Sequence, residues 1–133
     1  MFKRIIDITF SFLALILFSP ILILFSILIY IQDFKNPLYI ADRVGKNERA
    51  YKMIKLRSMI INADKSGVDS TSSNDTRITV IGSLVRKYKL DELTQLINVL
   101  RGDMSLVGPR PNVFAETKIY SSLEKKLLTV KPG

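Results

Sequence analysis

The segment from Leu90 to Pro111 contains the residue types that could do acid-base or phosphate chemistry. It reads L-D-E-L-T-Q-L-I-N-V-L-R-G-D-M-S-L-V-G-P-R-P. Two adjacent carboxylates, Asp91 and Glu92, lie where a polar stretch gives way to an apolar helical one. Arg110 follows between two prolines, which restrain the backbone on either side and lower the entropy cost of a bidentate phosphate contact.

The composition excludes several other kinds of catalytic group. The 133 residues include no cysteine and no histidine, so disulfides, thiol chemistry, histidine bases and Cys/His zinc sites are excluded. Any nucleophilic or acid-base work therefore falls to carboxylates, hydroxyls or lysines. The formal net charge of +8 suits an anionic membrane surface and a phosphate-bearing substrate.

Asp91 has a structural alternative, because an aspartate often caps a helix and Glu92 would suit the first helical turn. For an arbitrary Asp-Glu pair at a helix start, capping is the better interpretation. Here the pair also lies among cations, at a helix start that would favour phosphate oxygens as well as carboxylates. The neighbouring cations are Arg86, Lys87, Lys89, Arg101 and Arg110.

The hydrophobic pattern predicts the elements that position this segment. Apolar residues at 90, 93, 96, 97 and 100 form one helical stripe, which Gly102 would end. Residues 34–45 predict a turn, a short strand and a turn, and residues 51–63 predict a short strand leading into a helix. Residues 112–131 predict an amphipathic helix, lying either at a membrane interface or on the surface of a globular domain.

The N-terminal residues 1–31 predict a membrane anchor, and residues 32–133 predict one cytoplasmic domain. The stretch 8–31 carries no charge and would reach about 36 Å as a straight helix, enough for a hydrocarbon core of about 30 Å. Its length and the lack of a cleavage motif argue against a signal peptide, so the segment is expected to remain.

The anchor could span the bilayer or return to the same side. Ser19 and Pro20 lie at its middle, where a proline either kinks a spanning helix or divides a hairpin. Lys3 and Arg4 precede the apolar stretch and further basic residues follow it, which favours a cytoplasmic location for both ends. These residues alone leave the two topologies about equally supported.

Taken together, the motifs resemble the bacterial sugar transferase family, the monotopic phosphoglycosyl transferases. Residues 64–76 are otherwise polar and predict a mobile, solvated loop. The matching motifs are Lys3-Arg4, Ser19-Pro20, K-x-R-S-M at 55–59, D-x-R-I-T at 75–79, L-D-E-L at 90–93 and G-D-M-S-L-V-G-P-R-P at 102–111.

The resemblance implies transfer of a sugar-1-phosphate from a UDP-sugar to a membrane polyprenol (undecaprenyl) phosphate, with release of UMP. Such a reaction initiates the assembly of glycoconjugates such as O-antigen, capsule, exopolysaccharide or glycoprotein glycans. By resemblance, Asp91 is the nucleophile and Glu92 helps it to hold Mg²⁺ against the diphosphate. The cations expected to bind phosphate are Arg110, Arg86, Arg77 and Lys55.

The resemblance also selects a fold and a location. It implies a mostly α, α+β chain with a few short strands, in which a re-entrant helix-break-helix precedes a small catalytic domain with interfacial amphipathic helices. That domain would face the cytoplasm at the bacterial inner membrane, in contact with lipids. The chain could also pair with a second copy of itself in a homodimer. Nucleic acid is not expected, because the positive residues are scattered and lack an aromatic stacking platform.

Two departures from the family pattern accompany the resemblance. Position 94 is threonine in this chain, whereas family members usually carry proline there. Family members also continue beyond the position of Gly133. The resemblance therefore predicts an incomplete domain with weak or absent turnover by itself. A different class of function, a membrane-anchored basic interaction module without chemistry, would explain the anchor and the charge but would leave Asp91, Glu92 and the G-P-R-P turn unused.

Overall fold

The computed structural model describes residues 2–63 and 75–133. These form a mostly helical chain with one two-stranded sheet, in agreement with the predicted α+β class. The helices and strands are α1 (Phe2–Asp33), β1 (Leu38–Val44), β2 (Ala50–Leu56), α2 (Val80–Lys87), α3 (Leu90–Leu93), α4 (Leu96–Arg101) and α5 (Phe114–Thr117), with 3₁₀ helices at Lys46–Glu48 and Glu124–Thr129.

Helix α1 exposes most of its apolar surface. Within the described chain it is the one helix long and apolar enough to cross a membrane. Its buried side chains are Asp7, Ser11 and Ile29, which lie on one face at helical spacing. The helix break predicted at Ser19 and Pro20 is wrong, because α1 is one continuous helix with Pro20 inside it. The Ser19 hydroxyl donates to the carbonyl of Ile16 at 2.8 Å, within that helix.

Both ends of α1 contact the same globular unit. Near its N-terminus, the Arg4 guanidinium donates to the carbonyls of Val99 and Leu100, where α4 ends. Near its C-terminus, Arg57 donates to the Asp33 carboxylate at 2.6 Å from a buried position. The helix is therefore fixed to the remaining elements at two points, Arg4 and Asp33, which are 29 residues apart.

The two strands pair in antiparallel fashion and confirm the strands predicted near residues 34–45 and 51–63. In the register, Tyr39 lies opposite Lys55 and Ala41 opposite Met53. The helix predicted to follow β2 is wrong. Met59 instead forms an isolated antiparallel β-bridge with Ile78, because the segment packs closely against the start of α2.

Two side chains of the α3–α4 region satisfy the free edge of β2. Asn98 is fully buried, accepting from the backbone N–H of Ile54 at 3.0 Å and donating to the carbonyl of Lys52 at 2.7 Å. The Thr94 hydroxyl contacts the carbonyl of Ile54 at 3.1 Å. These bonds replace a third strand at an otherwise unpaired edge. They also fix the helical segment that carries Asp91, one turn before Thr94.

The predicted helix stop at Gly102 is confirmed, and the single helix predicted over 112–131 is wrong. Gly102 adopts a left-handed φ of 95° immediately after α4. In the later region, α5 ends at Thr117. A new helical turn then starts at a capping box, in which Ser121 and Glu124 exchange hydrogen bonds. The prediction of a mobile loop falls mainly on residues 64–74, which lie outside the described residues.

Candidate active site

An open cleft of about 870 Å³ lies between the sheet, α2 and the α3–α4 region. All six residues predicted to bind substrate or to act in catalysis line it, although they come from five separate stretches of sequence. They are Lys55, Arg77, Arg86, Asp91, Glu92 and Arg110. The structure thus brings together two carboxylates and four cations around one volume large enough for a small organic ligand.

Asp91 is half-buried at the start of α3, whereas Glu92 is exposed. The N-cap position of α3 is Lys89, which has a left-handed φ of 57°, so the interpretation of Asp91 as a helix cap is wrong. One carboxylate oxygen of Asp91 is buried and has no hydrogen-bond partner among the described residues. Desolvation by burial raises the pKa of Asp91, with a further increase from Glu92, while Lys55 and Arg86 act to lower it.

Lys55 is the cation electrostatically coupled to both carboxylates. Burial lowers the pKa of Lys55, the charges of Asp91 and Glu92 act to raise it, and nearby Arg43 and Arg110 lower it further. Lys55, Asp91, Glu92 and Arg110 all line the cleft, so β2, the start of α3 and the Arg110 segment meet there. The result is a compact group of two anions surrounded by cations.

Arg86 is placed by an unusually close contact between α2 and the segment after β2. A Cβ atom added to Gly82 would lie 1.9 Å from the carbonyl oxygen of Ser58, so only glycine allows this approach. The Thr79 hydroxyl caps α2 by accepting from the N–H of Gly82 at 2.9 Å. One turn beyond Gly82, the Nε of Arg86 donates to the Ser58 hydroxyl at 2.9 Å, which orients the guanidinium.

Arg77 lines the cleft with its guanidinium already engaged. It forms an ion pair with Asp75 at 2.6 Å and donates to the carbonyl of Ala63 at 3.0 Å. The hydrogen bonds from Arg77 lower the pKa of Asp75 to about 2. The D-x-R-I-T motif thus holds its own chain segment together, and the predicted phosphate contact of Arg77 stays a prediction.

Arg110 is exposed at the rim of the cleft, on a segment held at both ends. The N–H of Gly133 donates to the carbonyl of Pro109 at 3.0 Å, and the N–H of Val44 donates to the carbonyl of Asn112 at 3.0 Å. The prolines restrain this backbone, as the sequence suggested, and the two hydrogen bonds tie it to its neighbours. The guanidinium therefore projects from a fixed base.

Sequence reasoning missed two residues that shape the cleft. Arg43 is one of the basic residues that follow the apolar stretch, and Ser58 lies in the K-x-R-S-M motif, but neither was predicted to line the cleft. The antiparallel register places Arg43 opposite Tyr51 and Tyr39 opposite Lys55, so Arg43 and Lys55 share a face of the sheet. Alternation along the two predicted strands could have placed Arg43 there. The Ser58–Arg86 contact joins residues 28 apart and leaves no local signal.

The adjacent carboxylates fit the hard-oxygen chemistry of Mg²⁺. No group of three or more Asp, Glu, His or Cys side chains with metal-site geometry occurs in the described parts of the chain. However, Mg²⁺ is commonly held by one or two carboxylates together with substrate phosphates and water. The exposed Glu92 and the half-buried Asp91, with its unpaired oxygen, supply that number of protein ligands.

Together, these features define a protein that can hold a phosphate-bearing ligand beside a long apolar helix. The sequence matches the family model described as "Bacterial sugar transferase" over residues 1–133. The chain therefore belongs to the bacterial sugar transferase family, and the resemblance inferred from its motifs is confirmed.

Named relatives have similar sequences and are longer. A protein of Bacillus subtilis, named for undecaprenyl-phosphate N-acetylgalactosaminyl 1-phosphate transfer, is 46% identical over 116 residues, covering 86% of this chain and 65% of the relative. The exopolysaccharide production protein ExoY of Sinorhizobium fredii is 38% identical, and the match covers 98% of this chain and 65% of the relative. A UDP-N-acetylgalactosamine-undecaprenyl-phosphate N-acetylgalactosaminephosphotransferase of Aeromonas hydrophila is 40% identical, and the match covers 82% of this chain and 26% of the relative. The chain thus spans less than two thirds of these relatives.

Proposed function

We propose that this chain carries the active site of an enzyme that transfers a sugar-1-phosphate from a UDP-sugar to a polyprenol phosphate, with release of UMP. The observation that carries this proposal is the half-buried carboxylate of Asp91, surrounded by Lys55, Arg86 and Arg110 beside an apolar helix. The names of the relatives support the same chemistry, and one of them refers to exopolysaccharide production. The product would begin the assembly of a glycoconjugate.

In the proposed mechanism, Asp91 attacks the β-phosphorus of the UDP-sugar. The bond between that phosphorus and the bridging oxygen breaks, and UMP leaves with the electron pair. A sugar-phosphoryl anhydride remains on the carboxylate. An oxygen of the polyprenol phosphate then attacks the same phosphorus and regenerates the carboxylate. An aspartate nucleophile in this way divides one difficult displacement into two easier ones.

The residues around Asp91 would hold the diphosphate and neutralise its charge. Glu92 would hold Mg²⁺ together with Asp91, and the ion would supply positive charge against the phosphate oxygens. Arg86, oriented by Ser58, and Arg110, on its restrained segment, supply fixed positive charge. Preorganised charge of this kind stabilises a phosphoryl transition state because little reorganisation is needed during reaction.

The anchor is proposed to be re-entrant, with both ends on the cytoplasmic side of the bacterial inner membrane. The attachment of both Arg4 and Asp33 to the same globular unit supports this topology, as do the basic residues flanking the apolar stretch. Exposed apolar side chains at Ile119 and Leu123, with lysines beside them, suit contact with the membrane interface. The polyprenol phosphate and a cytosolic UDP-sugar would then reach the same cleft.

The pH dependence of the reaction should reveal the coupling between Lys55 and Asp91. Because burial raises the pKa of Asp91, the ionised form is lost at a higher pH than for an ordinary aspartate as the pH falls. Lys55 opposes that increase, so Lys55→Gln should move the acid limb of the pH–rate profile to higher pH as well as lower the rate. Rates of UMP release between pH 4 and pH 9 measure this shift.

Lys52→Gln is the matched control, since Lys52 lies on the same strand and pairs with Asp42 at the exposed surface. Its acid limb should coincide with that of the unaltered protein. An acid limb that stays in place or moves to lower pH in Lys55→Gln would contradict the coupling.

UMP release from a panel of UDP-sugars tests the proposed function. The 133-residue chain is assayed in membranes with and without Mg²⁺ and undecaprenyl phosphate. It is compared with a version extended to the length of its relatives, which we call the full-length protein. The proposal predicts UMP release from at least one donor, dependence on Mg²⁺, and a burst stoichiometric with enzyme before acceptor is added. UMP release that starts only when undecaprenyl phosphate is added, without a preceding burst, would favour direct transfer with Asp91 as general base. No release from any donor, with or without acceptor, would reject the function.

A further inference from the structure

The first two turns of α1 make polar contacts that membrane insertion by itself does not require. Asp7 is 5% exposed, and its carboxylate accepts from the Ser105 hydroxyl at 2.9 Å and from the N–H of Leu106 at 3.1 Å. Ser105 is itself 3% exposed. Burying a carboxylate is costly unless donors compensate it, so this contact is a specific feature of the fold.

The contact fixes the segment that leads to Arg110. We call residues 103–111 the Arg110 loop. On its other side, the N–H of Ser105 donates to the carbonyl of Pro132 at 2.8 Å. A Cβ atom on Gly108 would lie 2.3 Å from the carbonyl oxygen of Lys131, so backbone meets backbone there. The loop is thus held between α1 and residues 131–133.

The loop depends on α1 for the position of its first half. Lys3 donates to the carbonyl of Val107 at 3.0 Å, which adds a second contact from the first turn of the helix. Arg110 follows only three residues after Val107, and its side chain is exposed. The position of its guanidinium is therefore determined mainly by the backbone of the loop.

We infer that Asp7 is a positioning residue for Arg110. Through Ser105 and Leu106 it holds the Arg110 loop against the membrane helix, and so sets where the guanidinium meets substrate phosphate. This inference rests on the proposed function. It also assigns a role to Asp7, the single acidic residue in residues 1–31, whose other features concern membrane insertion.

A double-mutant cycle between Asp7 and Arg110 tests the inference. Asp7→Asn and Ser105→Ala are made in the full-length protein, each with Arg110 present and with Arg110→Ala, and kcat/KM for UMP release is measured in membranes. With Arg110 present, each variant should lower kcat/KM by about 10- to 100-fold, the range expected for a small misplacement of a positioning group. In the Arg110→Ala background, each should cost less than about 3-fold.

Two controls accompany the cycle. Ser105→Thr retains the hydroxyl and should recover most of the activity lost in Ser105→Ala. Asp42→Asn changes an exposed carboxylate and should have no effect in either background. An equal loss from Asp7→Asn with and without Arg110 would overturn the inference, because a general structural role acts independently of Arg110. Full activity of Asp7→Asn would also overturn it.

Hydrogen exchange provides a readout that does not depend on activity. Asp7→Asn should speed exchange of the amides of the Arg110 loop, including that of Leu106, and leave the Ile54 amide unchanged because Asn98 protects it. Unchanged exchange in the loop would overturn the inference. If exchange responds as expected while the unaltered protein releases no UMP from any donor, the proposed function fails and the link between Asp7 and the loop stands.

Discussion

Replacing Asp91 with asparagine is expected to lower UMP release by about 10⁴-fold, an effect typical of removing an essential group from an acyl- or phosphoryl-transfer site. Asparagine has nearly the same size as aspartate but lacks its negative charge, so it is a poor nucleophile and a poor base. Initial rates with UDP-sugar and undecaprenyl phosphate in membranes measure the loss.

Asp42→Asn is the matched control for this variant. Asp42 lies on β1 and its carboxylate is exposed in an ion pair with Lys52, away from the cleft lining. Its replacement should leave the rate within about 2-fold, as expected for a surface ion pair. Retention of more than a tenth of the activity by Asp91→Asn, at equal protein level, would contradict the role given to Asp91.

Asn98→Ala is expected to cost about 2–4 kcal/mol of stability, the second large effect. The substitution removes an acceptor from the N–H of Ile54 and a donor from the carbonyl of Lys52, both on the β2 edge that α4 covers. Buried backbone groups left without partners cost about 1–3 kcal/mol each. The thermal midpoint followed by circular dichroism in nanodiscs should fall by on the order of 10 °C.

Asn98→Leu separates hydrogen bonding from packing. Leucine has the same branched skeleton and the same number of heavy atoms as asparagine but forms neither hydrogen bond, so it should be about as destabilising as the alanine variant. Recovery of full stability with leucine would show that filled volume, rather than satisfaction of the β2 edge, fixes α4. Ser83→Ala serves as a control, because the Ser83 hydroxyl bonds to the carbonyl of Val80 at an exposed position of α2.

The chemistry of the site was accessible from sequence because its central residues are local. Asp91 and Glu92 are neighbours, and Arg110 lies within the same 22-residue segment, so their types and spacing could be read directly. Lys55 and Arg77 were identified only through the family motifs, whereas Arg86 lies near the Asp-Glu pair in the sequence. The structure brings all of them to one cleft, and it shows that Arg77 is engaged by Asp75.

The long-range polar contacts could not be predicted from local patterns. Periodicity placed residues 90–100 on a helix, but it does not show that Asn98, a polar residue in that helix, would be fully buried against β2. Asp7 and Ser105 are 98 residues apart, and neither has a local signature of the contact. Such pairs arise from tertiary packing, which places donors and acceptors from distant elements together.

The two incorrect helix predictions have a common physical cause. After β2, the close approach of Gly82 to Ser58 favours an extended backbone over the helix that the apolar pattern predicted. Within 112–131, the capping box of Ser121 and Glu124 starts a new turn where the apolar spacing suggested continuity. In both places a specific contact, long-range in the first and local in the second, outweighs a weak periodic signal.

The most direct test of the central claim is to identify the residue that receives the sugar phosphate. The full-length protein is incubated with a UDP-sugar labelled in its β-phosphate, without acceptor, and then digested and analysed by mass spectrometry. The account predicts one labelled sugar phosphate on the peptide containing Asp91, removed when undecaprenyl phosphate is added and absent from Asp91→Asn. Label on another residue, or equal labelling of Asp91→Asn, would contradict it.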